Sequence, residues 1–221
     1  MKYKTCVSIA ENTPEKLKKI LKVALKKSDY VEIRLDFLKP EQIPNVLEFI
    51  KKDLKRAVCT LRPKNEGGKF AGSEKERISI LKLVSEYNPY LLDVEFNTIR
   101  KNKDLEKYLK DTKTKLLISW HDFKSTPKFS NLREQMKKMS KFSSSVKIVT
   151  TAKSVNDATR VLQLYSKKGK TELIAFSMGD QGRISRILCL NLGSPYTYVS
   201  LGKPVAPGQF SVDEVKNLSF I

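Results

Sequence analysis

This chain of 221 residues holds a single histidine, one tryptophan and only three cysteines. Cys6, Cys59 and Cys189 are odd in number and far apart, with no C-x-x-C pair. That argues against a disulfide framework or a cysteine zinc site and predicts buried, reduced side chains. No apolar run approaches the roughly 18 residues that span a bilayer. The start, Met1-Lys2-Tyr3-Lys4, leads into an apolar stretch too short for a signal peptide and without a cleavage pattern. A cytoplasmic protein is therefore expected. The G-x-G-x-x-G fingerprint of a dinucleotide-binding sheet is also missing from the first strand–helix turn.

What the chain has in excess is lysine. Lys plus Arg number 43 against 24 Asp plus Glu, a formal charge of +19. The lysines are not gathered in a tail. They recur along helix-like faces, at Lys16, Lys18, Lys19, Lys22, Lys26 and Lys27 and again at Lys101, Lys103, Lys107 and Lys110. Solvated helix faces account for this as well as a nucleic-acid surface does. The charge also draws anionic small molecules by long-range attraction.

Short strand-like runs alternate with amphipathic stretches. The strands are read at residues 5–9, 30–35, 57–61, 90–95, 115–120, 146–150, 172–178 and 197–201. Pro14 sits in a first helical turn after Asn12-Thr13, and Ser73 and Ser154 suit helix N-caps. Eight strands separated by helices imply parallel pairing with right-handed crossovers. The economical closure is a single α/β domain over residues 1–221, a (β/α)8 TIM barrel without an N-terminal hairpin extension.

The strands carry charge where a core is expected. In Val31-Glu32-Ile33-Arg34-Leu35-Asp36 the alternation puts Glu32, Arg34 and Asp36 on one face. Thr60 and Arg62 share a face of the third strand, Asp93 and Glu95 of the fourth, Ser119 and His121 of the fifth. Lys147 lies between Val146 and Ile148 on the sixth. Buried charge is costly unless paired or engaged with a ligand. Charges of both signs at five successive strands therefore predict a polar site at the C-terminal mouth, where such barrels place their chemistry.

His121 supplies the one side chain whose ordinary pKa suits proton transfer at neutral pH. Lys147, in an apolar run, suits Schiff-base formation, because the neutral amine attacks carbonyls and burial favours that form. The alternatives are a lysine snorkelling from a strand end, or one paired with Asp93 or Glu95. Gly67-Gly68 permits a tight path that folds Glu66 over the mouth, against a plain surface turn. Arg186, at a helix start after the seventh strand, suits bidentate carboxylate binding, against a solvated arginine. Gln209, in the turn Ala206-Pro207-Gly208-Gln209, can hydrogen-bond a hydroxyl.

Taken in order along nearly the whole chain, these segments resemble the type I 3-dehydroquinate dehydratase family. The resemblance rests on Glu32-Ile33-Arg34-Leu35-Asp36, Thr60-Leu61-Arg62 with Glu66-Gly67-Gly68, and Ser119-Trp120-His121-Asp122-Phe123. It continues through Val146-Lys147-Ile148, Ser177-Met178-Gly179, Gly182 with Ser185-Arg186, and Ala206-Pro207-Gly208-Gln209. It implies a barrel lyase of the shikimate pathway working without metal or other cofactor. It implies that Lys147 forms the Schiff base and that His121 moves protons. Glu66 would orient the histidine, and Arg186 would grip the substrate carboxylate. Glu32, Arg34, Arg62 and Gln209 would hold ring hydroxyls and order the site, with Met178 as an apolar wall. Two positions depart from the family: Val205 stands where a serine is common, and Tyr198 where a phenylalanine is common.

The expected partner is the small molecule 3-dehydroquinate, with neither nucleic acid nor membrane, and a homodimer is an assembly to test. A class I aldolase-type barrel acting on a phosphorylated sugar is the competing enzyme. A basic nucleic-acid-binding protein is the competing non-enzyme, and it leaves His121, Lys147 and Glu66 unexplained.

Overall fold

The computed structural model describes residues 3–218. It has an α/β fold whose strands and helices alternate along the chain. The strands are β1 (Thr5–Ile9), β2 (Tyr30–Arg34), β3 (Ala57–Thr60), β4 (Leu91–Glu95), β5 (Leu116–His121), β6 (Ser145–Thr151), β7 (Glu172–Met178), β8 (Thr197–Ser200) and β9 (Phe210–Ser211). The helices are α1 (Pro14–Lys27), α2 (Ile43–Ile50), α3 (Glu74–Glu86), α4 (Phe96–Lys101), α5 (Lys103–Asp111), α6 (Phe129–Met139), α7 (Val155–Leu162), α8 (Ser185–Asn191) and α9 (Val212–Leu218). Two compact units result. Ser8–Leu116 form one; the stretch through Val7 together with Leu117 onward forms the other.

Local chemistry explains the helix starts. Thr13 accepts a hydrogen bond from the Lys16 amide at 3.3 Å and Pro14 opens α1. Ser73 and Ser154 cap α3 and α7 in the same way. Helix α1 buries Leu17, Leu21 and Ala24 along one stripe and leaves Lys16, Lys18, Lys19, Lys22, Lys26 and Lys27 exposed. The lysine-rich faces of the sequence are thus solvated helix faces here. Among the described residues no helix is long and apolar enough to cross a membrane. All three cysteines are buried and outside any disulfide, and burial pushes the Cys59 and Cys189 thiols up to about 12.

In the Ser8–Leu116 unit, β2, β3 and β4 pair in parallel, with Arg34 opposite Thr60 and Thr60 opposite Asp93. Registered residues share a face. Val31, Ile33, Leu35, Ala57, Cys59, Leu61, Leu92 and Val94 make one apolar, buried face. The opposite face carries Glu32, Arg34, Thr60, Arg62, Asp93 and Glu95. It too is buried, with only Arg34 partly open. Charge on a buried face is the arrangement the alternation predicted.

In the other unit, β5, β6 and β7 pair in parallel, with Ser119 opposite Lys147 and Lys147 opposite Ile174. One step further along, His121, Val149 and Phe176 align. Strand β8 pairs in parallel with β1, setting Cys6 opposite Tyr198, and with the short β9. Strand β9 was not expected: two residues carry no alternation signal, and only pairing with Val199 and Ser200 creates it.

Candidate active site

Four of the expected residues lie in the Ser8–Leu116 unit and form one charged network. Glu32 accepts hydrogen bonds from Ser8 Oγ at 2.8 Å and Thr60 Oγ1 at 3.1 Å. Arg34 makes a bidentate pair with Asp36, at 2.9 and 2.8 Å, and Asp36 also accepts the Lys69 amide. Arg62 reaches Asp93 at 2.7 Å and Glu95 at 2.9 Å, and its side chain is only 4% exposed. Burial alone would lower the Arg62 pKa, but the adjoining carboxylates overcome it and hold the guanidinium firmly protonated.

Glu66 sits in a turn that demands glycine directly after it. Gly67 sits at φ +77°, and a Cβ on Gly68 would fall 1.9 Å from the Arg62 carbonyl oxygen. The turn is closed by Gly68 N donating to Pro63 O at 2.9 Å. It leaves Glu66 partly buried, accepting from Asn97 Nδ2 at 3.3 Å, so it is no plain surface turn. Burial, with the Glu95 charge next, pushes the Glu66 carboxyl up to about 7. It is poised to change charge at neutral pH.

The remaining five lie in the other unit. Lys147 is buried on β6, its side chain directed onto Tyr198, with Nζ 4.2 Å from the ring centroid. The snorkelling alternative fails on burial. Asp93 and Glu95 are engaged by Arg62 and, for Glu95, also by Arg77 at 2.7 Å. His121 ends β5 on the face that carries Ser119, whose register partner is Lys147, so imidazole and amine are diagonal neighbours on one face. The chain beyond His121 is pinned to β6. Asp122 N donates to Val149 O at 2.9 Å and Thr151 Oγ1 donates to Asp122 O at 3.0 Å.

Arg186, 2% exposed at the start of α8, is no solvated arginine. Its guanidinium lies over Phe176 at 4.4 Å and Nη2 donates to Pro207 O at 3.0 Å. Its Nε has no hydrogen-bond partner among the described residues. Burial lowers its pKa to about 10, which still leaves it charged at neutral pH. Gln209 is buried and its Oε1 accepts the Val205 amide at 2.8 Å, so the backbone at Val205 makes a contact its side chain cannot. Met178, at the end of β7, is buried opposite Thr151.

Three residues escaped the sequence reading. Arg77 looks like one more helix arginine, yet it is 1% exposed and bonds Glu95, Glu74 and the Leu61 carbonyl. Only its stray position on the apolar side of α3, with Ile80, Leu81 and Val84, hinted at burial. Asn97 follows β4 with no signal of its own. Phe176 read simply as core.

A buried amine beside an imidazole, with a buried guanidinium in the same unit, is the equipment of an enzyme that forms an imine with an anionic carbonyl compound. Comparison with known proteins narrows that class. The type I 3-dehydroquinase family model matches residues 5–221. The 3-dehydroquinate dehydratase of Methanococcus maripaludis is 38% identical over 201 residues, 89% of either chain. The crystal structure of the 3-dehydroquinate dehydratase from Aquifex aeolicus VF5 matches with a TM-score of 0.81 at 29% identity, covering 97% of this chain and 96% of that one. Another, from Geobacillus kaustophilus HTA426, reaches a TM-score of 0.90 at 23% identity, covering 100% of this chain and 91% of that one, and speaks to the fold. The chain belongs to the type I 3-dehydroquinase family.

Proposed function

We infer that the chain is a hydro-lyase that converts 3-dehydroquinate to 3-dehydroshikimate and water, in the shikimate route to aromatic amino acids. Family membership and the buried Lys147 support this reading; the phosphorylated-sugar aldolase is not favoured. In the proposed mechanism Lys147 Nζ adds to the C3 ketone and the carbonyl oxygen leaves as water, giving an iminium. That electron sink acidifies C2. His121 removes the C2 proton, then as imidazolium returns a proton to the C1 hydroxyl, which leaves as water in a syn elimination. Hydrolysis of the imine frees the product and Lys147.

In this proposal Glu66 orients His121 and Arg186 pairs with the substrate carboxylate. Gln209, Glu32, Arg34 and Arg62 hold ring hydroxyls and order the site, and Met178 covers the ring. The observation that carries the assignment is the near-complete burial of Lys147 one diagonal step from His121. No metal or other cofactor has a role. The βα units are proposed to close as one (β/α)8 barrel in a single cytoplasmic domain, with a homodimer as its candidate assembly. A lone domain of this length predicts a radius of gyration of about 17 Å by small-angle scattering.

Borohydride reduction in the presence of 3-dehydroquinate tests the mechanism, read by intact mass and peptide mapping. A ligand-sized adduct on Lys147 is expected. A folded sample giving neither adduct nor the ultraviolet absorbance of the enone product overturns the dehydratase.

A further inference from the structure

The Lys147 contact with Tyr198 goes beyond burial. Nζ lies 4.2 Å from the ring centroid, over the face where an aromatic π-system is electron-rich. Both side chains are buried, so little water screens the attraction. The ring is held in place. Tyr196 meets it edge-on at 5.5 Å and 77°, and Phe176 packs against it at 6.4 Å and 60°. Phe176 in turn carries the Arg186 guanidinium at 4.4 Å. Two touching aromatic rings thus seat two buried cations, one ring each.

We propose that Tyr198 is a catalytic residue whose π face stabilises the positive charge that the Lys147 nitrogen carries as an iminium during turnover. The proposal rests on the dehydratase reading above. When the neutral Nζ bonds to the ketone carbon and the carbonyl oxygen departs as water, taking one Nζ hydrogen and one proton relayed by His121, the nitrogen is left positively charged. A ring face at that distance therefore attracts the nitrogen of the iminium and gains nothing from the neutral amine that adds to the ketone or from the neutral carbinolamine that follows. It favours the iminium, the species that acidifies C2. A ring face also has no lone pair with which to take a proton from nitrogen or compete with His121 for the C2 proton. A carboxylate in its place would do both.

The test replaces residue 198 with phenylalanine and with mono-, di- and trifluorinated phenylalanines, which drain the π face while keeping size and shape. The Tyr198→Phe protein is the reference of the series. Each protein is equilibrated with sub-saturating 3-dehydroquinate, reduced with borohydride, and the adduct fraction is read by intact mass. The fraction is expected to fall stepwise with fluorination, by about 3- to 30-fold in the iminium equilibrium across the series. Tyr198→Leu, checked for folding by circular dichroism, is expected at the low end. A flat series, while the unsubstituted protein traps normally, overturns the role of Tyr198 and leaves the dehydratase standing. No adduct even in the unsubstituted protein overturns the dehydratase reading, and this proposal with it.

Discussion

The two units bury cations in opposite ways. In Ser8–Leu116, Arg62 and Arg77 are locked by carboxylates, with Arg62 on Asp93 and Glu95 and Arg77 on Glu95 and Glu74. In the other unit, Lys147 and Arg186 rest on the faces of Tyr198 and Phe176. A carboxylate partner fixes a guanidinium's direction and consumes its donors. A ring face stabilises the charge from one side and leaves the donors directed elsewhere, as with Arg186 Nε. The first arrangement suits a scaffold and the second a group that must meet a substrate and let it go.

Breaking the reactive half gives the largest effect. His121→Ala should lower kcat by about 10² to 10⁴ while the Lys147 adduct still traps with borohydride. Near-normal turnover in that variant would remove the histidine from proton transfer. Next comes the scaffold. Arg62→Met leaves Asp93 and Glu95 buried with one guanidinium fewer, and a denaturant titration should find a loss of about 3–5 kcal/mol. A midpoint within error of the parent protein would mean that this network is not structural.

Arg186→Met sharpens the contrast, because its contacts among the described residues are the Phe176 ring and the Pro207 carbonyl and not a carboxylate. Its stability cost should be smaller than that of Arg62→Met, while KM for 3-dehydroquinate rises about 10- to 100-fold through loss of a charge-assisted pair. Equal KM would sink the carboxylate grip. The smallest effect concerns Glu66. Its carboxyl sits near 7 in the folded chain against 4.5 for the ordinary group. The folded state therefore holds the proton more tightly than the unfolded one, and its stabilising share is full below 4.5 and lost as pH rises through 7. Glu66→Gln should melt higher than the parent above pH 7, with the gap closing below 4.5. A gap independent of pH would refute the raised carboxyl.

Much of this was legible beforehand because its signals are local. Strand β1 and strand β7 begin and end where alternation and flanking residues indicate, and Ser73 and Ser154 cap as their types demand. Local signals fail where distant groups intervene. Strand β2 was expected to continue through Leu35, but a 3-10 turn begins there, with Asp36 drawn to Arg34 and to the Lys69 amide. The site was legible in its residue types, since charges on an otherwise apolar strand face have few uses. Their partners were not: the pairs Arg62 with Asp93 and Arg77 with Glu95 join residues 31 and 18 positions apart.

By itself, then, the sequence determined the alternating α/β order, the buried charged strand face and the placing of a lone histidine and an apolar-flanked lysine on neighbouring strands. Periodicity and composition are properties of neighbouring residues. Only tertiary structure decided that Arg62 would be clamped by acids and Lys147 seated on Tyr198. Such partners meet through sheet register and helix packing, and no window of the chain contains both sides of the contact.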